Sequence, residues 1–141
     1  MPPQTLHGDP FGSPPRPYAE YTQQNGRVCT GSVNVAWALH SITAESGDGG
    51  FVVVPGSHKA SFAMPSTDPA DLPEQHKGVV HPLMEPGDAV FFMGGATAHG
   101  AWRNENPEKP RRVALFNYLS KDIQPHGRGE GLIQHPTRAA L

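Results

Sequence analysis

No stretch of ten or more residues in this chain sustains a helical period of apolar side chains with caps at its ends, and that constrains the fold more than any other feature. Short apolar runs appear instead, separated by glycine and proline. Each of these two residue types occurs 16 times among 141 residues. They punctuate the runs without forming repeats, which is the pattern of turns between strands. After Gly31, the segment Ser32 to His40 alternates, with Val33, Val35, Trp37 and Leu39 on one side and small or polar residues on the other, as in a half-buried strand. Glu45 to Gly50 supplies turn chemistry before the β-branched run Phe51 to Val54, so a hairpin is predicted there. Val79 to Leu83 reads as a short strand, Glu85 to Asp88 as a turn and Ala89 to Met93 as a buried strand. His99 to Arg103 and Arg112 to Leu119 follow, divided by the Pro-rich stretch Asn104 to Pro110. Ala60 to Lys77 is polar, Pro-interrupted and too long for a tight turn; it is expected to lie over an opening, as a lid.

Regular short strands without helices predict an all-β sandwich or barrel, and a jelly roll is the preferred form because it holds ligands between two sheets. The length suits one domain, with the core in residues 1–121 and a loosely structured tail in 122–141. With 36% hydrophobic and 17% charged residues the chain has the composition of a folded domain. A formal net charge of −2 gives no basic field for a phosphate backbone, which argues against nucleic acid as a partner. Cys29 is the single cysteine, so neither a disulfide framework nor a thiolate zinc site is available. No apolar run reaches the length of a membrane span, and Met1 to Asp9 lacks the layout of a signal peptide; a cytoplasmic protein without membrane contact is expected.

One constellation carries chemistry. His7-Gly8-Asp9 places an imidazole and a carboxylate two residues apart, so in extended backbone both project to one face and can reach one metal. His99 follows the buried strand Ala89 to Met93 and the flexible Gly94-Gly95, and is the candidate third ligand. Two histidines and one carboxylate on one face leave positions open on iron(II), as non-haem oxygenases require. A co-substrate such as 2-oxoglutarate needs its far carboxylate anchored, a task that suits the planar fork of arginine. Arg111 begins the last strong strand, twelve residues after His99; Arg112 faces the other way and is the alternative.

Leu6-His7-Gly8-Asp9, Gly49 to Lys59 with its Pro55-Gly56-Ser57-His58-Lys59 turn, Pro86 to Phe92, Ala98-His99-Gly100 and Pro110 to Leu115 resemble, in order, the signatures of the phytanoyl-CoA dioxygenase family. The resemblance covers nearly the whole chain. It implies a double-stranded β-helix, cupin-like in form, with iron(II) and 2-oxoglutarate as cofactors and dioxygen and a small molecule or acyl chain as partners. The implied reaction is hydroxylation with release of succinate and carbon dioxide. The implied ligands are His7, Asp9 and His99, with Arg111 as the 2-oxoglutarate anchor. Asp9 in place of glycine or alanine favours hydroxylation over halogenation. Family members usually carry a helical N-terminal region and a first barrel strand before this point, whereas six residues precede His7 here; a truncated core with an open sheet edge is expected.

The Pro55 to Lys59 motif is read as structural, because Pro-Gly marks a turn and Ser57 can cap locally, with His58 a reserve ligand. Trp37 and Trp102 are read as packing residues, Trp102 being the better candidate for the pocket wall. His40, His76, His81, His126 and His135 have no partner spacing that assigns them a role. The reading opposed to an oxygenase is a non-catalytic β-fold binding module that kept the scaffold and lost the pocket.

Overall fold

Eight strands make up the computed structural model, which describes residues 4–8, 17–43, 47–60, 76–106, 108–109 and 111–119. They are β1 (Gln4–His7), β2 (Tyr21–Gln24), β3 (Arg27–Thr30), β4 (Ser32–Ala38), β5 (Asp48–Val53), β6 (Ala89–Phe92), β7 (His99–Asn104) and β8 (Val113–Leu119). The only helical pieces among the described residues are 3-10 turns at Pro17–Ala19 and Ser57–Lys59. The expected tail, 122–141, and residues 61–75 of the expected lid lie outside the described residues.

Two three-stranded antiparallel sheets carry the fold, in the orders β1-β7-β5 and β6-β4-β8. This is the all-β jelly roll that the sequence predicts. The predicted hairpin between the strands at 32–40 and 51–54 does not form. β4 pairs with β6 and β8 while β5 pairs with β7, so the connection crosses from one sheet to the other. β5 also starts earlier than its β-branched run suggests, at Asp48. Gly50 is part of the strand, paired with Trp102, and a Cβ there would stand 2.8 Å from Ile42 Cγ2. The strand predicted over Val79 to Leu83 reduces to one isolated bridge, Val53 with Val80, followed just beyond it by a second, Ile42 with Met84. Pro82 between them has no N–H to continue a ladder. A tight hairpin missed in the sequence joins β2 to β3 through Asn25 and Gly26, at φ 50° and 73°. Asn-Gly is the preferred pair for such a turn.

The alternation in β4 is real, but the small, polar face is the one buried along its whole length, and the aliphatic face is buried only in part. Ser32, Asn34, Ala36 and Ala38 are buried; on the other face Val35 is buried too, whereas Trp37 and Leu39 are 41% and 57% exposed. Ala36 lines the space between the sheets together with Phe92, Val113 and Leu115. Small residues on the inner face of β4 leave that space open, and the large ones are turned outward beside Phe91 and Phe116, the register partners of Val35. Phe51 of one sheet meets Phe92 of the other at 4.7 Å between ring centres, which fixes the sheet separation at the cavity. No helix among the described residues is long and apolar enough to cross a membrane.

Candidate metal centre

His7 ends β1 and His99 begins β7, and the register of the two strands sets them directly opposite each other. Their ring centres are 4.2 Å apart with the planes tilted by 53°. Nδ1 of His7 lies 2.9 Å from the carbonyl of Thr5, and Nδ1 of His99 lies 2.7 Å from the carbonyl of Thr97. A carbonyl only accepts, so each ring carries its proton on Nδ1 and donates it to the carbonyl two residues upstream. In the neutral ring that leaves the Nε2 lone pair as the metal-binding atom, and the bond from the other nitrogen fixes its direction. Imidazoles 4.2 Å apart can place two nitrogens about 3 Å from each other, the spacing of neighbouring ligands on an ion with bonds of about 2.1 Å.

Electrostatics favour the same state. Burial pulls the pKa of His99 down from 6.5 to about 4; the Thr97 carbonyl opposes this and the adjacent His7 adds to it. At neutral pH the ring is therefore uncharged, with no proton to lose before a cation binds. Phe92 at 4.6 Å and Phe51 at 6.0 Å between ring centres flank it.

The Pro55 to Lys59 turn holds this segment from behind. Ser57 Oγ accepts the amide of Ala98 at 2.8 Å, and the amide of Val54 reaches the Ala98 carbonyl at 2.9 Å. The motif thus supports the residue before His99, as a structural reading requires. His58 makes an edge contact with Tyr21 at 4.7 Å and does not join the pair.

Gly8 follows His7 at φ 94°, so the backbone does not run extended into Asp9. The extended backbone expected across this segment is therefore interrupted at Gly8. Asp9 itself lies outside the described residues, and among those described no third histidine, cysteine or carboxylate joins the pair. The left-handed turn coincides with a close tertiary approach: a Cβ on Gly8 would overlap the Thr97 carbonyl oxygen and stand 3.1 Å from His99 Nδ1.

Two cavities adjoin the histidines. One, of about 290 Å³, runs between the sheets along Phe51, Phe92, Val113 and Leu115 to Arg111. The Arg111 guanidinium is half-buried, donates to the carbonyl of Gly50 at 3.4 Å, and has its pKa lowered by burial alone. No described carboxylate pairs with it. A cation so placed, which arginine does not relieve by deprotonating, favours an anionic ligand. Arg112 is exposed, and its main chain packs on His40 at 3.2 and 3.3 Å, so of the two arginines only Arg111 reaches the cavity. The second cavity, of about 190 Å³, lies among Tyr18, Ala19, Asn34, Gly94 and Gly95. Trp102, read as a packing residue and the better of the two tryptophans for the pocket wall, is opposite Gly50 on the other face of β7 and stacks on His81 at 5.2 Å; an odd separation from His99 reverses the side in a strand, so it packs and does not line the cavity. Sequence reading missed Tyr18 and Asn34. Asn34 had a signal, an amide at mid-strand where asparagine is depleted; Tyr18 had none.

Comparison with known proteins bears on the same features. A family model described as phytanoyl-CoA dioxygenase matches residues 2–113. The dioxygenase swnH1 of Arthroderma benhamiae is 33% identical over 79 residues, 55% of this chain and 22% of that protein. HygX from Streptomyces hygroscopicus, solved with iron bound, superposes with a TM-score of 0.68 at 22% identity, covering 86% of this chain and 53% of HygX. Its structure with nickel, 2-oxoglutarate and hygromycin B bound gives a TM-score of 0.66 at 22% identity, over 85% and 51% of the two chains. The likeness establishes the shared fold, and the chain spans about half the length of HygX.

Proposed function

We propose, given that the chain belongs to the phytanoyl-CoA dioxygenase family, that it forms the core of an iron(II)- and 2-oxoglutarate-dependent dioxygenase that hydroxylates a small molecule and releases succinate and carbon dioxide. The observation that carries this reading is the register-paired His7 and His99, whose rings are 4.2 Å apart, each with Nδ1 committed to a backbone carbonyl and Nε2 left to bind a metal. Asp9, two residues beyond His7, completes the two-histidine, one-carboxylate set that suits iron(II) with open positions. The iron and dicarboxylate bound to HygX in its solved structures make the same pair the natural choice here.

When bound, iron(II) and 2-oxoglutarate supply the electrons that activate dioxygen, one oxygen atom going to the substrate and the other to succinate. The protein's own contribution is position and exclusion of water. Arg111, which lines the larger cavity, would hold the far carboxylate of 2-oxoglutarate, its planar fork allowing a bidentate contact. Phe51, Phe92, Val113 and Leu115 form a mostly apolar sleeve along the way, in which the charge pairing gains strength. His99, neutral at physiological pH, serves as a ligand and not as an acid or base.

The test is anaerobic addition of iron(II) and 2-oxoglutarate to the full chain. A visible charge-transfer band, lost in His99→Ala, is the expected result, followed in air by succinate formation that a substrate stimulates. Absence of the band in the wild-type chain refutes the reading and leaves a β-fold module without turnover.

A further inference from the structure

The smaller cavity contains a polar group with no role so far. Asn34 lies at the middle of β4, between Phe92 of β6 and Asn117 of β8, on the face turned toward the space between the sheets. It is only 9% exposed, and its Oδ1 has no hydrogen-bond partner among the described residues. Buried side-chain acceptors are nearly always paired, so an unpaired one beside a cavity marks a place where a ligand supplies the donor. The oxygen lies against Gly94, where a Cβ would come within 3.1 Å of it. The terminal torsion of asparagine is soft, so the amide can turn its edge to the cavity without main-chain movement.

The walls around Asn34 are tied together. Ser32 Oγ donates to the carbonyl of Tyr18 at 2.7 Å and accepts from the amide of Gly95 at 3.1 Å, joining the turn before β2 to the turn before β7. Gly95 permits this closeness, since a Cβ there would stand 2.7 Å from the Tyr18 ring and 2.8 Å from Ala19 Cα. The two histidines form the remaining wall, so whatever enters lies beside the metal centre, in a cavity distinct from the one that leads to Arg111. The volume of about 190 Å³ corresponds to about six waters. No large aliphatic side chain lines it.

From these features we infer that the cavity beside Asn34 receives the molecule to be oxidised, that the Asn34 amide binds it, and that it is a compact compound bearing a hydroxyl or amino group and not a long acyl chain. This assignment rests on the dioxygenase reading above, which left the substrate class open. It makes Asn34 a specificity-determining residue, separate from the 2-oxoglutarate anchor.

The test uses the full chain, labelled with nitrogen-15, and follows the Asn34 side-chain NH2 signals, identified by their loss in Asn34→Ala. The probes are myo-inositol, glucosamine and ethanolamine against octanoate. At least one polar probe is expected to shift the Asn34 signals, to bind at least tenfold more weakly to Asn34→Ala, and to keep intermediate affinity for Asn34→Gln. Iron(II)-dependent 2-oxoglutarate binding should stay within twofold of wild type in both variants. The inference is overturned if no polar probe moves the Asn34 signals, if only octanoate does, if polar binding is undiminished in Asn34→Ala, or if that variant loses 2-oxoglutarate binding. The signals are read on the wild-type protein, so an unstable variant does not remove the test. A wild-type chain that fails to bind iron and 2-oxoglutarate refutes the dioxygenase reading separately, because the NMR measurement needs neither.

Discussion

Replacing Gly8 by alanine tests how the metal centre is held. Gly8 has φ 94°, and the added Cβ would overlap the Thr97 carbonyl oxygen, the group that accepts the Nδ1 proton of His99 at 2.7 Å. The left-handed conformation alone costs an alanine about 1–2 kcal/mol. Forcing a methyl group against packed backbone costs about 1–3 kcal/mol more. The expected loss is therefore about 2–5 kcal/mol, large against the ~5–15 kcal/mol that stabilises a typical domain yet short of preventing folding. Gly87 is the matched control: its φ is 98°, and a Cβ there meets nothing within 4 Å. Gly87→Ala should show the conformational part only, so the difference between the two variants in urea unfolding isolates the contact. The shifted Thr97 carbonyl should also release the His99 ring, and cobalt(II) titration should show metal affinity reduced about 10–100-fold, the usual effect of disturbing a group that orients a ligand. If Gly8→Ala costs no more than Gly87→Ala and binds cobalt as tightly as wild type, then close packing of Gly8 on Thr97 does not position His99.

Ser57→Ala removes the acceptor of the Ala98 amide and should cost about 1–2 kcal/mol in urea unfolding, with a parallel loss of cobalt affinity; unchanged affinity would confine the Pro55 to Lys59 turn to a role in stability. Arg111→Ala should raise the 2-oxoglutarate requirement for succinate formation by at least tenfold while Arg112→Ala leaves it within twofold, and the reverse pattern would reject the assignment. Without metal, acid should destabilise the fold through His99. Its folded pKa, about 4, is below the unfolded 6.5, so the unfolded chain takes up protons first, and stability falls as pH drops from about 6.5 toward 4, by about 2–3 kcal/mol at pH ~4.5. His99→Asn should flatten that part of the pH profile of the urea midpoint, and an unaltered slope would show that another group is responsible.

Much of the scaffold was legible because strands advertise themselves by alternation. β4, β6, β7 and β8 fall within a residue or two of the runs that predict them. Alternation gives the two faces of a strand but not which one turns inward. In β4 the aliphatic face looked like core, yet the side lining the cavity beside His99 carries small side chains, and Trp37 and Leu39 are left exposed on the other. The crossing of β5 to the other sheet was illegible for a related reason: pairing partners are chosen by the whole molecule, and a local turn signal before Phe51 speaks only of the neighbouring residues. At the candidate centre, the place of His99 at the start of β7 was readable, whereas Arg111, expected to begin the last strand, stands two residues before β8. The tilt of the backbone at Gly8 was not readable, since it goes with the approach of the Thr97 carbonyl, a contact across about ninety residues of sequence. Tyr18 enters the cavity through a hydroxyl of Ser32 and the close passage of Gly95, neither of which leaves a pattern near Tyr18.

Both imidazoles are steered by peptide oxygens, at Thr5 and Thr97, and by no side chain of either threonine. Every amino acid brings the same oxygen to those two positions, so the aim of the ligands is indifferent to mutational drift there so long as the strands keep their course. The tautomers are thus encoded in the path of the main chain, and selection can reshape the surroundings of the site without having to rebuild the centre itself.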